Sequence, residues 1–142
     1  MAINFYFEKR VTLKNRKSLK LFIASLFKQE GKKLSSLTYI FCSDDYLLNI
    51  NKKYLAHHYY TDIISFDLSE TKMSPTIGEI YISTDRVKEN ADGYTVSVTQ
   101  EIHRVIFHGA LHLCGYNDKT KAQKKTMRLK EDFYLSKYKY LP

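Results

Sequence analysis

The stretch "SVTQEIHRVIFHGALHLCG" (residues 97–115) is long and largely apolar, and it predicts the central helix of the fold. Ser97 and Gln100 form a capping-box pattern, which marks the start of a helix. Apolar residues then recur at helical spacing. Gly115 is the type of residue that ends a helix and lets the chain turn back. We therefore predict a helix over about residues 98–114.

Two histidines near the end of this helix predict a metal site. His108 and His112 are four residues apart, so both lie on one helix face. Asp118, three residues after Gly115, can return to them as a third ligand. Three protein ligands with an open fourth position are typical of catalytic zinc, although other first-row metals also accept this donor set. The alternative is that both histidines are ordinary core or surface residues. We predict a metal site at these three residues, and the donor set leaves the identity of the metal open.

The residue after His108 distinguishes this motif from zinc peptidases. The spacing H-x3-H-x5-D resembles that of the metzincins, in which a glutamate general base follows the first histidine. Here that residue is Gly109, so peptide hydrolysis would lack its proton acceptor. We interpret Gly109 as a point of close helix packing. Cys114 lies roughly opposite His112 on the helix, and we predict that it packs in the core.

The remaining segments predict a single α+β domain spanning residues 1–142. Strands at 61–68 and 78–83 are close enough in the sequence to pair as a hairpin. We expect a four-stranded mixed sheet packed by about five helices, with the metal site at the end of the central helix. The other two predicted strands are at 3–8 and 37–42. The other predicted helices are at 13–31, 44–55, 85–91 and from the Thr120–Gln123 capping box to about Lys137. We predict that Ser43 caps the helix at 44–55 and that Thr84 caps the helix at 85–91.

The net charge of +8 is concentrated at the two ends of the chain. Residues 1–33 carry nine Lys and Arg against two acids, residues 119–142 carry eight against two, and residues 34–118 carry six against eleven. Solvated lysine-rich helix faces explain this pattern, and so does a polyanionic partner such as RNA. We see no leader-like start, no long apolar run and only two cysteines, so we expect a cytoplasmic protein without membrane association.

Several segments together resemble the YbeY family of bacterial endoribonucleases. The segment "VIFHGALHLCGYND" is similar to the family signature HGxLHLxGYDH, and a helix around Met127 follows it. Earlier, "LNINKKYL" is similar to N-x-x-Y-R, "TDIISFDL" to T-D-V-L-S-F, and "GEIYIS" to the family's G-D-I strand. The resemblance covers about residues 37–135. It implies an α+β fold with a cleft, one zinc held by His108, His112 and a third residue, and a ribonuclease that prefers single strands and acts in 16S rRNA maturation and 70S ribosome quality control.

Two positions depart from the family pattern. The third family ligand is usually histidine, and the equivalent residue here is Asp118. Aspartate can bind zinc, but it lowers the net charge of the site by one and should make the metal a weaker Lewis acid. The family's arginine after the tyrosine, linked to RNA or phosphate positioning, is Leu55. Either a nearby cation replaces that arginine or catalysis is diminished; the cations near in sequence are Lys52, Lys53, His57 and His58.

The sequence leaves the catalytic step open. Either a metal-bound water attacks phosphorus, or the metal polarises the phosphate and stabilises the leaving oxygen. No general base is evident in the motif. Thr61 and Ser65, on a strand that the family places beside the cleft, are candidate substrate contacts. Arg104, one turn before His108, contacts either phosphate or a carboxylate. His103 lies about 140° round the helix from His108, so we predict that it packs away from the site.

Three functions fit these observations. The first is a metal-dependent endoribonuclease acting on single-stranded or ribosomal RNA, with the small ribosomal subunit or its proteins as partners. The second is a non-catalytic ribosome-assembly factor that keeps the metal and binds rRNA. The third is a metallohydrolase of another substrate. We favour the endoribonuclease because the histidine motif and the other landmarks occur together and in order.

Overall fold

The computed structural model describes residues 2–139, which form a four-stranded sheet and five helices. The strands are β1 (Ala2–Phe7), β2 (Leu34–Cys42), β3 (Ile63–Asp67) and β4 (Thr76–Ser83). The helices are α1 (Arg16–Gln29), α2 (Asp44–Leu55), α3 (Thr84–Gly93), α4 (Val98–Leu113) and α5 (Lys121–Lys139). The α+β class and the number of elements are as predicted.

The sheet is mixed, with the strand order β1-β2-β4-β3. β2 pairs in parallel with both β1 and β4, while β3 pairs antiparallel with β4. The predicted hairpin is therefore confirmed, and it places β3 at an edge of the sheet. Leu37, Tyr39 and Phe41 of the central strand β2 are fully buried, since helices and neighbouring strands cover them.

The helix α4 packs unusually close to the sheet at Gly109. A Cβ atom added at Gly109 would lie 2.9 Å from both Ile63 Cδ1 and Ile80 Cγ2, so no larger residue fits without a shift of these side chains. The predicted close approach at this glycine is confirmed. Because Ile63 belongs to β3 and Ile80 to β4, this contact sets the C-terminal half of α4 directly beside the edge strand.

Serine hydroxyls begin three of the helices. Ser43 Oγ accepts a hydrogen bond from Tyr46 N (3.1 Å), and Ser97 Oγ accepts one from Gln100 N (3.0 Å), as predicted. The prediction that Thr84 caps α3 is wrong. Ser83 is the cap, because its Oγ accepts from Arg86 N at 3.2 Å, and Thr84 is the first helical residue.

Several boundaries differ from the predictions. α1 begins at Arg16 rather than at residue 13, because Asn15 has a left-handed φ of 55° that helical backbone does not adopt. β2 begins at Leu34, three residues earlier than predicted. The first residues of this strand do not alternate between apolar and polar, but they pair with β1 and β4 and so belong to the sheet. The smaller changes are at β1, β3, β4, α3 and α5. No helix within residues 2–139 has the length and apolar character that crossing a membrane requires.

Candidate metal centre

Three side chains predicted as metal ligands converge at the end of α4. His108 Nε2 lies 3.3 Å from Asp118 Oδ2, and His112 Nε2 lies 3.5 Å from the same oxygen. One ligand atom from each of the three residues lies within 4.8 Å of the others. Ligands about 2.0–2.1 Å from a tetrahedral zinc are themselves roughly 3.3–3.4 Å apart. The spacing of these donor atoms therefore fits a single ion.

The other ring nitrogen of each histidine has a partner of its own. His108 Nδ1 donates to Glu131 Oε2 at 2.7 Å, and His112 Nδ1 donates to the carbonyl oxygen of Tyr116 at 2.8 Å. These bonds fix the tautomer in which Nε2 keeps its lone pair. Histidines that bind metals almost always have such an outer partner. Both rings are therefore oriented for a metal on the Asp118 side.

The end of α4 returns Asp118 to the histidines. Gly115 has a φ of +106°, a left-handed backbone conformation that favours glycine. Tyr116 N–H donates to Leu111 O at 3.1 Å, so the chain folds back over the last helical turn. The same turn brings the Tyr116 carbonyl to His112. One short segment thus supplies both the third ligand and an outer partner.

The charges around the site favour a neutral His112 and an ionised Glu131. Burial and the nearby His108 lower the pKa of His112. Burial would raise the pKa of Glu131, but the hydrogen bonds and charges of His108 and Arg104 lower it overall. Burial would likewise lower the pKa of His108, yet Glu131 and Asp118 raise it overall. A metal ion would replace the proton that these carboxylates attract.

Glu30, just after α1, anchors the returning segment from behind. Its carboxylate accepts hydrogen bonds from the Tyr116 hydroxyl (2.7 Å), from Lys130 Nζ (3.2 Å) and from the Tyr134 hydroxyl. Its side chain is only 8% exposed. Burial would raise the pKa of Glu30, but these three donors lower it. The Tyr116 residue is thus held at its ring by Glu30 and at its carbonyl by His112.

A cleft of about 590 Å³ opens over the three ligands. Thr61 and Ser65, the predicted substrate contacts, both line it. The Thr61 hydroxyl donates to Ile63 O (3.3 Å), whereas Ser65 Oγ is buried without a hydrogen-bond partner among the described residues. Leu55 also lines the cleft, and it is 40% exposed there.

The cations proposed to replace the family's arginine divide into two groups. His57 lines the cleft. Lys52, Lys53 and His58 are not among its lining residues within the described chain. Lys119, which sequence reasoning did not single out, is the one lysine of residues 2–139 that lines it. The only feature of the sequence that could have indicated a role for Lys119 is its place directly after Asp118.

Arg104 and His103 face away from the cleft. The Arg104 guanidinium donates to Glu131 Oε1 (2.9 Å) and Asp132 Oδ1 (3.0 Å), so a carboxylate is its partner in this structure. Both residues line a separate cavity. His103 stacks on Phe107, with ring centroids 6.3 Å apart, which confirms that it packs. Cys114 packs against the core, also as predicted.

Two further acidic residues of the site were missed by sequence reasoning. Glu131 lies one helical turn after Met127, and only its place on the same face as an apolar residue could have indicated burial. Asp62 lines the cleft beside Thr61, and burial raises its pKa, although the charge of His108 opposes this. The one feature of the sequence that could have indicated Asp62 is that this carboxylate comes directly before an apolar strand.

The chain is similar to known proteins along most of its length. The family described as "Endoribonuclease YbeY" matches residues 4–139. A protein of that name from Cytophaga hutchinsonii is 46% identical over 138 residues, covering 96% of each chain. Another from Christiangramia forsetii is 43% identical, covering 92% of this chain and 90% of the relative. The solution structure of TM1509 from Thermotoga maritima superposes with a TM-score of 0.66 at 26% identity, over 97% of this chain and 89% of that chain.

Proposed function

The chain belongs to the endoribonuclease YbeY family, a family of hydrolases acting on RNA, and we propose that it is itself a metal-dependent endoribonuclease. One observation carries the proposal. His108, His112 and Asp118 converge at the base of an open cleft, and each histidine is oriented by a second hydrogen bond. A structural zinc site is normally closed by four protein ligands, whereas three ligands in a cleft leave a coordination position for chemistry.

The residues of the chain have separate roles in this proposal. His108, His112 and Asp118 hold the ion, with zinc as the proposed metal. Such an ion, when bound, activates water and stabilises negative charge on a phosphate. Glu131 and the Tyr116 carbonyl keep both imidazoles in the productive tautomer.

Three polar side chains of the cleft are proposed to meet the RNA. Lys119 supplies a positive charge, and Ser65, whose hydroxyl is buried and unpartnered in this structure, is proposed to contact a phosphate or ribose oxygen after its side chain turns toward the cleft. Thr61 lies beside them at the same wall. Arg104, in contrast, is engaged with Glu131 and Asp132, so its best-supported role is to fix Glu131 behind His108.

Asp62 is the proposed proton acceptor. It lines the cleft, it is not one of the three ligands, and burial raises its pKa above that of an ordinary aspartate. A carboxylate whose pKa moves toward neutrality both accepts and returns a proton more effectively. The electrostatic interaction of Asp62 with His108 and Asp118 is consistent with a position near the proposed metal.

The substrate is proposed to be single-stranded RNA in the maturation of 16S rRNA and in ribosome quality control. The family resemblance supports this, and the net charge of +8 suits a polyanionic partner. Association with the small ribosomal subunit or its proteins and a cytoplasmic location belong to the same proposal. Leu55, in the cleft where the family has arginine, favours a second candidate: a ribosome-assembly factor that binds rRNA without cutting it.

The test is cleavage of single-stranded RNA by the zinc-loaded protein beside an identically purified His108→Ala, His112→Ala double variant. We expect products only with the unsubstituted chain. Equal cleavage by both proteins would identify a contaminant and contradict the proposal. Binding without cleavage by either protein would support the assembly factor instead.

A further inference from the structure

Two aromatic rings form a stack on the wall of the cleft that the segment between α2 and β3 supplies. His57 and Tyr59, in the segment between α2 and β3, have ring centroids 5.1 Å apart and planes inclined by 20°. The Tyr59 hydroxyl and His57 Nδ1 share a hydrogen bond of 3.0 Å. Both residues line the cleft. Tyr59 is nevertheless 57% exposed, so a large aromatic surface is offered to solvent beside the proposed metal.

The backbone of this segment is fixed by one buried residue. Asn51 of α2 is 1% exposed, and its side-chain amide donates to the carbonyl oxygen of Tyr59 at 2.9 Å. The backbone N–H of His57 donates to the carbonyl oxygen of Asn51 at 3.2 Å. Ala56 between them has a left-handed φ of 55°, which ends α2 and turns the chain. The two rings therefore extend from a held backbone.

The charges of the cleft are poorly suited to holding RNA through phosphates alone. Apart from the proposed metal and its ligand Asp118, its lining includes the carboxylates of Asp62 and Asp67 against a single lysine, Lys119, among the residues described. The arginine that the family uses is replaced by Leu55. Proteins that bind single strands without sequence preference add stacking of bases on aromatic side chains to their phosphate contacts, and any base can form such a stack. This cleft has such side chains.

We propose that the His57–Tyr59 pair is a stacking site for one base of single-stranded RNA, which helps to hold the adjacent phosphodiester near the three ligands. This rests on the proposed ribonuclease function and names a contact that selects unpaired RNA, because a base inside a duplex has no free face for Tyr59. Leu55, on the same wall, adds apolar contact for the base or ribose.

A neighbouring tyrosine provides a matched control. Tyr60 is 52% exposed, close to the value for Tyr59, but it is not among the described residues that line the cleft. Its hydroxyl donates to Asp45 at 3.2 Å. Substitution at Tyr60 therefore removes an exposed ring of the same segment without touching the proposed stack.

The experiment uses the absence of tryptophan from the sequence. Tyr59→Trp introduces a unique fluorophore at the stack, and Tyr60→Trp introduces one beside it. Each zinc-loaded variant is mixed in a stopped-flow instrument with short single-stranded RNA, or with an abasic strand of the same length, before products accumulate. We expect base-bearing RNA to quench the emission of Tyr59→Trp strongly and that of Tyr60→Trp weakly. The abasic strand should quench neither.

Affinity gives the second readout. Tyr59→Ala should weaken binding of single-stranded RNA about tenfold, within the range for loss of one base–aromatic stack, while Tyr60→Ala stays near the unsubstituted value. Unquenched emission and unchanged affinity, in a chain that still cleaves the same RNA, would overturn the stacking site and leave the ribonuclease proposal standing. Failure of the unsubstituted chain to bind or cleave RNA would overturn both.

Discussion

The two walls of the cleft are built in opposite ways. On the α4 wall, His108 and His112 are each held by a second hydrogen bond, to Glu131 and to the Tyr116 carbonyl. On the opposite wall, between α2 and β3, the backbone is fixed by Asn51 while the side chains project into solvent. The first wall ties its side chains to the rest of the fold, whereas on the second wall the backbone is tied to the fold and His57 and Tyr59 bond only to each other.

This difference shows where the chain can vary. A change at a residue of the α4 wall disturbs a hydrogen-bonded network, since each group there has a partner that would be left buried and unsatisfied. On the other wall, Leu55 stands in place of the family's arginine, yet the ligands still converge. We infer that the α4 wall carries metal binding and that the opposite wall carries substrate affinity. Substitutions that separate metal affinity from RNA affinity test this division.

The largest effect is expected from Asp118→Ala. Removing a ligand should lower zinc affinity by more than the roughly 100-fold upper range for an outer partner, and cleavage should fall with it. Because Asp118 lies at a partly exposed turn, the fold should remain intact. Competition against a zinc chelator measures the affinity. Asp118→His, which introduces the family's usual ligand, is the matched control and should keep the metal. Unchanged zinc affinity in Asp118→Ala would remove this residue from the site.

Glu131→Gln should have the next largest effect. The amide keeps the volume of the side chain but loses the charge that orients His108, so zinc affinity should fall roughly 10- to 100-fold. The same competition measures it. Asp132→Asn is the control, because Asp132 also binds Arg104 at 3.0 Å and belongs to the same helix. An equal loss in both variants would mean that the pairing with Arg104 matters rather than the bond to His108.

Glu30→Gln should reduce stability in a pH-dependent way. Because three donors lower the pKa of Glu30 in the fold, its stabilisation is complete above the unfolded pKa, about 4.3, and is lost as pH falls through the folded value. Urea unfolding near neutral pH should therefore show a loss of about 1–3 kcal/mol. Near pH 3, below the unfolded pKa, the difference from the unsubstituted chain should be smaller than at neutral pH.

The control for this prediction is Glu70→Gln, at an exposed residue between β3 and β4. It should change stability little at either pH. A loss in Glu30→Gln that is equal at both pH values would show that shape rather than charge matters at this residue. Because Tyr116 links Glu30 to His112, a smaller loss of zinc affinity should accompany the loss of stability.

The smallest effect is expected from Leu55→Arg, which restores the family's cation to the exposed wall. RNA affinity should rise a few-fold, and the slope of log affinity against log salt should steepen by about 0.7, the value for one added contact to a single strand. Zinc affinity should not change. Leu21→Arg adds the same charge at an exposed residue of α1. If both variants gain equally, the added charge acts through the net charge of the protein and not within the cleft.

The sequence was sufficient for the features that depend on local spacing. The interval of four between His108 and His112 and the glycine at 115 specify a helix end with two imidazoles on one side. The short interval from β3 to β4 made their hairpin predictable. Local sequence was less decisive for the cap of α3. Ser83 and Thr84 are neighbours and both residue types are suitable caps, so the sequence could not distinguish them.

Long-range contacts were beyond the sequence. Glu131 is 23 residues from His108, and Glu30 is 86 residues from Tyr116, so no spacing rule joins either pair. Asn51 was part of a recognised segment, but its bond to Tyr59 depends on how the chain turns at Ala56. The contacts of Glu131 and Glu30 are determined by packing of α1 and α5 around α4, which local periodicity does not encode.

The most direct test of the central claim is the zinc content of the unsubstituted protein, purified without chelators and measured by mass spectrometry beside His108→Ala, His112→Ala. A site of three oriented ligands predicts about one zinc per chain in the unsubstituted protein and almost none in the double variant. Less than about 0.1 zinc per chain, or an equal content in both proteins, would contradict the account.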